Sequence, residues 1–327
     1  MSITKNENPL ISILIPVFNV SRYLEDCLNS VICQTYSNIE IIIVDDGSSD
    51  SSGEICDVYE KKDSRVRVVH KANEGQAATR NLLVDLSRGE YLVFVDSDDI
   101  ITPTYIEDLY ELTQKYDCKI AATVLRTFKD GETVSNNASQ AYTECCISSL
   151  QAIEWMNYQT KLDTWPVCKI YHKSVFGNKN LRYPLFKISE DLALTFVLLL
   201  ESDKVAYLNK PNYYYRLHNN STDGKPFSNV QMDAAIQVIE YMDQYQNVLQ
   251  PILKSYICRK VSFTFRMLLK MPEGYDNSSY FFYIIKANRL SVLLDSKARP
   301  KTRFACLVSF FGVSLLKSLF KIVDKRK

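Results

Sequence analysis

Three short, continuous apolar runs, each closing in a polar turn, constrain this chain most: Ile11-Ser-Ile-Leu-Ile-Pro-Val-Phe18, Ile39-Glu-Ile-Ile-Ile-Val44 and Tyr91-Leu-Val-Phe-Val95. Such runs suit strands covered on both faces of a parallel sheet, because a strand with one wet face would alternate. Segments with helical spacing lie between them. Leu24, Leu28 and Val31 follow a candidate cap at Ser21, and Ala77 to Leu86 precedes the run at Tyr91. Val66–His70 fits a further short strand. Thr102-Pro103 reads as cap and first-turn proline of a helix through about Gln114, and Lys119 to Leu125 as the next strand. This order predicts an α/β fold, a doubly wound, mostly parallel sheet flanked by helices, with ligands taken at the strand C-termini.

The alternation decays after about residue 126; Lys129 to Ser139 reads as a loop, and Ile236, Ile239, Met242 and Leu253 to Leu269 predict a helical C-terminal appendage. With 327 residues and 46% of them hydrophobic, the chain can bury a large core plus a smaller satellite. A formal net charge of +1 gives no general attraction to nucleic acid. That average hides nine basic side chains and one acid in residues 297–327. Nine cysteines, an odd count without CxxC spacing, and a polar Met1–Asn8 lacking a signal-type apolar core point to a reducing cytosol and against structural zinc.

The chemistry sits where the runs end. Pro16-Val-Phe-Asn19, Asp45-Asp46-Gly47-Ser-Ser-Asp50 and Asp96-Ser97-Asp98-Asp99 converge on one crevice in an open α/β sheet, bringing five carboxylates, Asp45, Asp46, Asp96, Asp98 and Asp99, together. Like charges so crowded are usually relieved by a divalent cation with oxygen ligands, here Mn²⁺ or Mg²⁺ on a substrate phosphate. Asp96 and Asp98, two apart on a strand end, point to one side. Plain structural alternatives stand beside this: a capping turn before Pro103, and an Asp-Gly turn at Asp46-Gly47.

Four stretches, Ser12-Ile-Leu-Ile-Pro-Val-Phe-Asn19, Glu40-Ile-Ile-Ile-Val-Asp-Asp-Gly-Ser-Ser-Asp50, Asn73-Glu-Gly-Gln-Ala-Ala-Thr-Arg-Asn81 and Gly89-Glu-Tyr-Leu-Val-Phe-Val-Asp-Ser-Asp-Asp99, resemble in order and spacing the family 2 glycosyltransferases of GT-A fold. The resemblance implies that Pro16 and Phe18 flank a nucleobase, with Asn19 beside them, that Asp46 accepts from a uracil N–H with Asp45 in support, and that Arg80 faces phosphates. It places Asp96 and Asp98 on the metal and Ser97 at the donor. The Leu-Leu after Arg80-Asn81 departs from the glycine often found there in relatives.

Farther along, Thr164-Trp-Pro-Val-Cys-Lys-Ile-Tyr171 is similar to the family's tryptophan-lysine segment, with Trp165 on a sugar face or simply in the core, and Lys169 on phosphate or hydroxyl groups. Ile188-Ser-Glu-Asp-Leu192 resembles its Glu-Asp motif. That implies Asp191, with Glu190 as the alternative, as the base of an inverting transfer; acids also simply favour a helix start. Tyr213-Tyr-Tyr-Arg-Leu-His-Asn-Asn-Ser221 resembles the closing motif, implying Arg216 on a diphosphate and His218 as a third metal ligand, or else a solvated histidine after an edge strand.

Phe304 to Leu316 is apolar but too short to span a bilayer. On one helix Phe304, Val308, Phe311, Leu315, Leu319 and Ile322 form a stripe opposite Arg303, Lys317 and Lys321, as in an interfacial helix drawn to anionic lipid, or a terminal helix packed on protein. The expected domains are therefore 1–222 catalytic, 223–302 helical and 303–327 membrane-associated. The expected enzyme is cytoplasmic, peripheral on the inner membrane face, moving sugar from a UDP-sugar to a glycan, lipid-linked as in exopolysaccharide or capsule synthesis, or to teichoic acid or glycolipid. A nucleotide-sugar-binding protein without turnover is the rival, though base and metal acids are both present. An oxidoreductase lacks its G-x-G-x-x-G, and a nucleotidyltransferase its glycine-rich loop, since residues 1–30 hold no glycine.

Overall fold

The computed structural model describes residues 8–132, 134, 141–177, 180–218, 227–312 and 315. In chain order the elements are β1 (Ile11–Val17), α1 (Ser21–Ile32), β2 (Ile39–Asp45), α2 (Ser52–Lys62), β3 (Val66–His70), α3 (Gln76–Leu86), β4 (Tyr91–Phe94) and β5 (Ile100–Ile101). There follow α4 (Tyr105–Tyr116), β6 (Ile120–Lys129), β7 (Glu144–Ser148), α5 (Ser149–Tyr158), β8 (Lys169–His172), α6 (Ser174–Gly177), α7 (Glu190–Leu200) and β9 (Lys204–Leu217). The last helices are α8 (Asn229–Asp243), α9 (Leu253–Lys270), α10 (Ser278–Leu293) and α11 (Pro300–Val308).

The strands form one sheet in the order β3-β2-β1-β4-β8-β6-β9-β5, with β7 also on β9. β1 pairs in parallel with β2 and β4, and β2 with β3, so the three apolar runs lie side by side at the sheet's centre. Ile11, Ile13, Leu14, Ile41, Ile43 and Tyr91 to Phe94 are buried on both faces, as continuous apolar runs require. The one polar pair in these runs is held internally: Ser12 Oγ donates to Glu40 Oε1 at 2.6 Å, and the Arg88 and Gly89 backbone N–H groups reach the same carboxylate. A β-carbon on Gly89 would stand 2.7 Å from Ser12 N, so this close approach requires glycine.

Several boundaries differ from the sequence reading. Val20, not Ser21, occupies the cap of α1, and the Ser21 N–H donates instead to Asp50 Oδ2 at 3.0 Å. α4 opens at Tyr105 rather than at Pro103, because Ile100 and Ile101 pair with Tyr214 and Tyr213, and Thr102 N donates to Asn212 O. β6 runs on to Lys129 because, past a bulge at Thr123 to Leu125, it pairs with the far half of β9. The helix expected through the C-terminal segment ends at Val308, followed by a 3-10 turn and Gly312 at a φ of 104°. Val308 is buried while Phe304 and Phe311 are exposed, so the expected stripe is not one face of one helix; Leu319 and Ile322 lie outside the described residues.

The chain divides into two compact units. The first comprises Met1–Ser149, Thr164–Leu185 and Glu190–Ser221, and the second Leu150–Asp163, Phe186–Ser189 and Thr222–Lys327. Residues 150–163 and 186–189, inside the expected 1–222 domain, group with the C-terminal helices; of the expected 303–327 segment, residues 313–314 and 316–327 lie outside the described residues. α8 begins with a capping box between Ser228 and Gln231.

Candidate active site

At the C-terminal ends of β1 and β2 the loops are stitched by their own polar groups. Asn19, at a φ of 51°, accepts from Ser49 N at 2.8 Å through Oδ1, while its own N–H donates to Ser48 Oγ. Phe18 stays 47% exposed beside this turn, an aromatic left uncovered, with Pro16 half-buried before it. Asp45 accepts from Ser48 N at 3.1 Å and pairs with His70 Nδ1 at 2.9 Å; His70 Nε2 meets Asp57 Oδ1 at 3.0 Å. The bonds to both carboxylates hold the imidazole's pKa above its ordinary value.

Asp46 takes Lys71 Nζ at 2.6 Å and the N–H groups of Glu74 and Gly75, each at 2.9 Å. Burial alone would raise its pKa, but these donors bring it below the usual carboxylate range. Gly47 makes the approach feasible. It sits at a φ of 75°, and a β-carbon there would lie 2.9 Å from Asn73 N.

The turn after β4 is organised differently. Arg80 on α3 is buried, with Nη1 3.0 Å from Glu190 Oε1, Nη2 3.3 Å from Asp96 Oδ1, and its guanidinium over the Tyr183 ring. Asp96 N donates to the Tyr213 hydroxyl, which donates to Asp99 Oδ2 at 2.7 Å. Burial, then Asp98, raises Asp96 although Arg80 pulls it down; burial, with Asp96 and Asp98, pushes Asp99 well above the carboxylate range. Glu190 is raised by burial against the pull of Arg80.

Asp98 Oδ2 lies 2.8 Å from His218 Nε2, and that imidazole stacks on Tyr23 with centroids 4.8 Å apart. Its Nδ1 is buried without a hydrogen-bond partner. Asp98 and His218 are therefore neighbours, while Asp96 turns to Arg80. Among the described residues no three His, Cys, Asp or Glu side chains are gathered to hold a metal ion. Ser97 is buried within the turn.

Asp191 opens α7 beside Glu190, accepts from Leu192 N at 2.7 Å, and has Thr164 Oγ1 at 3.4 Å. It is only half-buried, unlike Glu190. Trp165 is 39% exposed and stacks on Tyr215 at 5.5 Å and 14°. Two sequence expectations change here. Lys169, set toward phosphate or hydroxyl groups, is 2% exposed and donates to Trp165 O at 2.7 Å and to Val167 O, so it fastens the Trp165 loop from beneath. Arg216, set toward a diphosphate, pairs with Asp26 at 2.8 Å and Asp130 at 3.1 Å, donates to Asp98 O, and lies over the Tyr23 and Phe128 rings.

Tyr213, Tyr183, Thr164, Lys71 and His70 were missed as site residues. The strand that carries Arg216 offered a clue to Tyr213, and the strand end at His70 another, but neither names a partner far away in sequence.

A mostly parallel sheet whose strand ends gather an uncovered aromatic, an aspartate-rich turn and an acid-led helix is an architecture of GT-A type, with helices added at the C-terminus. The family profile described as Glycosyl transferase family 2 matches residues 12–178, and the chain belongs to that family. It is 36% identical over 220 residues to glycosyltransferase GlyA of Streptococcus pneumoniae, an alignment covering 64% of this chain and 31% of GlyA. The chain thus spans about a third of that relative's length. It is 30% identical to the putative teichuronic acid biosynthesis glycosyltransferase TuaG of Bacillus subtilis, over 66% of this chain and 82% of TuaG. The solved structure of S. aureus TarS 1-349 with UDP-GlcNAc matches with a TM-score of 0.64 at 18% identity, covering 92% of this chain and 91% of that one. Mannosyltransferase PcManGT of Pyrobaculum calidifontis, with GDP-Man and Mn²⁺, matches at 0.55 and 11%, over 94% and 81%. These two share the fold.

Proposed function

We propose an inverting, metal-dependent transferase that moves one sugar from a UDP-sugar to a hydroxyl of a lipid-linked glycan in cell-surface polysaccharide synthesis. One observation carries the reading: the Arg80 guanidinium joins Asp96 of the aspartate-rich turn to Glu190 of the acid pair, so both sets of acids flank one small space. Phe18 stacks on the base; Asp46, which the resemblance set to accept from the uracil N–H with Asp45 in support, is taken by Lys71 and two backbone N–H groups, and with Asp45 fixes the loops around the base. Asp96, Asp98 and His218 would hold the divalent cation, the carboxylates suiting Mn²⁺ or Mg²⁺ and the imidazole, whose Nδ1 is without a partner, suiting Mn²⁺ better than Mg²⁺. When bound, that cation stabilises charge on the departing diphosphate.

Asp191 is the base. Glu190 is buried and committed to Arg80, whereas Asp191 is half-buried and spends its oxygens on a backbone N–H and a long hydroxyl contact. The acceptor oxygen bonds to the anomeric carbon as Asp191 takes its proton. The bond to the diphosphate oxygen breaks with both electrons leaving on UDP, and attack from the opposite face inverts the centre. Trp165, half-exposed at the donor side, offers a face for a sugar. The basic C-terminal segment supports peripheral attachment at the inner membrane face, where a lipid-linked acceptor presents its glycan. The name of TuaG supports a teichuronic-type polymer as a second acceptor reading.

Titration calorimetry of UDP and UDP-sugars with and without Mn²⁺ tests the donor: metal-dependent UDP binding supports it, and no binding in either condition rejects it. Asp191→Asn keeps UDP and Mn²⁺ binding and lowers transfer by about a thousandfold; wild-type turnover removes Asp191 from the role.

A further inference from the structure

The second unit exposes more large apolar side chains near the end of the chain than its packing explains. On α10 Tyr283, Leu290 and Leu294 at its C-cap face outward, Leu294 at 73% exposure; on α11 and the turn after it so do Phe304, Leu307 and Phe311, the last at 74%. The opposite faces are already core: Phe281, Ile284, Ile285 and Val292 are buried on α10, and Ala305, Cys306 and Val308 on α11. These helices therefore have an inner apolar face in use and a second apolar face in water.

The two helices are fastened to each other. Arg289 donates to Ser309 O at 2.8 Å and lies 3.8 Å over the Phe310 ring, and Arg303 Nε donates to Leu293 O at 3.0 Å. Residues 278–312 carry six basic side chains and a single acid, Asp295, whereas residues 1–277 hold more acids than bases. None of the described helices is long and apolar enough to cross a bilayer.

We infer that α10 and α11 together form an interfacial docking surface for an anionic lipid bilayer, with Leu290, Leu294, Phe304, Leu307 and Phe311 entering the headgroup boundary and the cations ringing them. The charge decides between occupants. A second copy placed across a two-fold axis would set this basic surface against itself, while anionic headgroups neutralise it. The surface extends the attachment proposed above from a terminal tail to a rigid two-helix face, and for its purpose rests on the lipid-linked acceptor.

The full chain is sedimented with phosphatidylcholine vesicles with and without phosphatidylglycerol. Wild type co-sediments with the anionic vesicles only, and high salt releases it. L290Q/L294Q on α10 and F304Q/F311Q on α11 each weaken binding by more than tenfold, and K286E/K301E weakens it by about fivefold per charge. Circular dichroism verifies folding of each exposed-site variant, and UDP binding reports separately on the transferase reading. Absence of wild-type binding overturns the proposal, as does unaltered binding of folded L290Q/L294Q. A concentration-dependent dimer that the same substitutions dissolve assigns the face to a second copy and also overturns it.

Discussion

At the ends of β1 and β2 each acidic side chain is answered by donors from its own loop or from the end of β3 and the loop after it, while at the end of β4 three aspartates share too few. Asp46 collects a lysine and two backbone N–H groups, and its pKa falls. Asp99 is buried and Asp96 half-buried, both beside Asp98, and their pKa values rise, although Arg80 and Tyr213 lend donors. The same residue type thus serves two purposes. Satisfied carboxylates hold loops still around a neutral, planar ligand; crowded ones store repulsion that a cation on a phosphate would discharge.

The sharpest way to break this contrast is to remove one acid from the crowded end. Asp98→Asn is expected to lower metal-dependent UDP affinity by about a hundredfold or more, consistent with the loss of one direct cation ligand. Calorimetry with and without Mn²⁺ measures it, and unchanged metal dependence excludes Asp98 from the metal site. Asp46→Asn works at the other end and acts on stability instead. It weakens a buried charge-assisted bond to Lys71 and sets an amide against two backbone N–H donors, at a cost of about 2 kcal/mol by denaturant unfolding. A stability equal to wild type would show that the loop does not depend on this carboxylate.

Asp99→Asn should reverse the sign. An amide can still accept from Arg216 N while donating to the Tyr213 oxygen, and it removes one of the crowded charges. Without metal the variant is expected to match wild type or exceed it by up to about 1 kcal/mol. A loss larger than 2 kcal/mol would mean that the ionised carboxylate is needed to hold Tyr213 and Arg216.

How much of this was legible follows from the range of each signal. β1, β2 and β4 announce themselves because burial on both faces writes a continuous apolar run, and the acids at their ends are local in sequence. The start of α4 was misplaced because its preceding residues are captured by Tyr213 and Tyr214, more than a hundred residues away. Lys169 and Arg216 were expected on phosphate or hydroxyl groups, yet in the structure their partners are backbone carbonyls and acids that no spacing rule names. Gly312 was visible in the sequence, but an amphipathic wheel drawn through it assumes the helix it ends.

A pH-dependent effect is expected at His70, which ties the satisfied end together by bridging Asp45 and Asp57. Its folded pKa is raised from an ordinary 6.5, so the folded state binds its proton more tightly than the unfolded chain does. The resulting stability is fully present below about pH 6.5 and is lost as the pH rises through the elevated folded value. His70→Gln keeps one bond at most to the two acids and lacks the charge. Its deficit should be about 1 kcal/mol at pH 6 and should shrink toward alkaline pH, because the exposed half of the imidazole and Asp57 are screened by solvent. Donor affinity should follow the same slope, since Asp45 borders the turn that carries Phe18 and Asn19 only while the bridge holds. A deficit that stays constant from pH 6 to pH 9 would mean that His70 acts by shape alone, and that the order at this end is made by Lys71 and the backbone donors around Asp46.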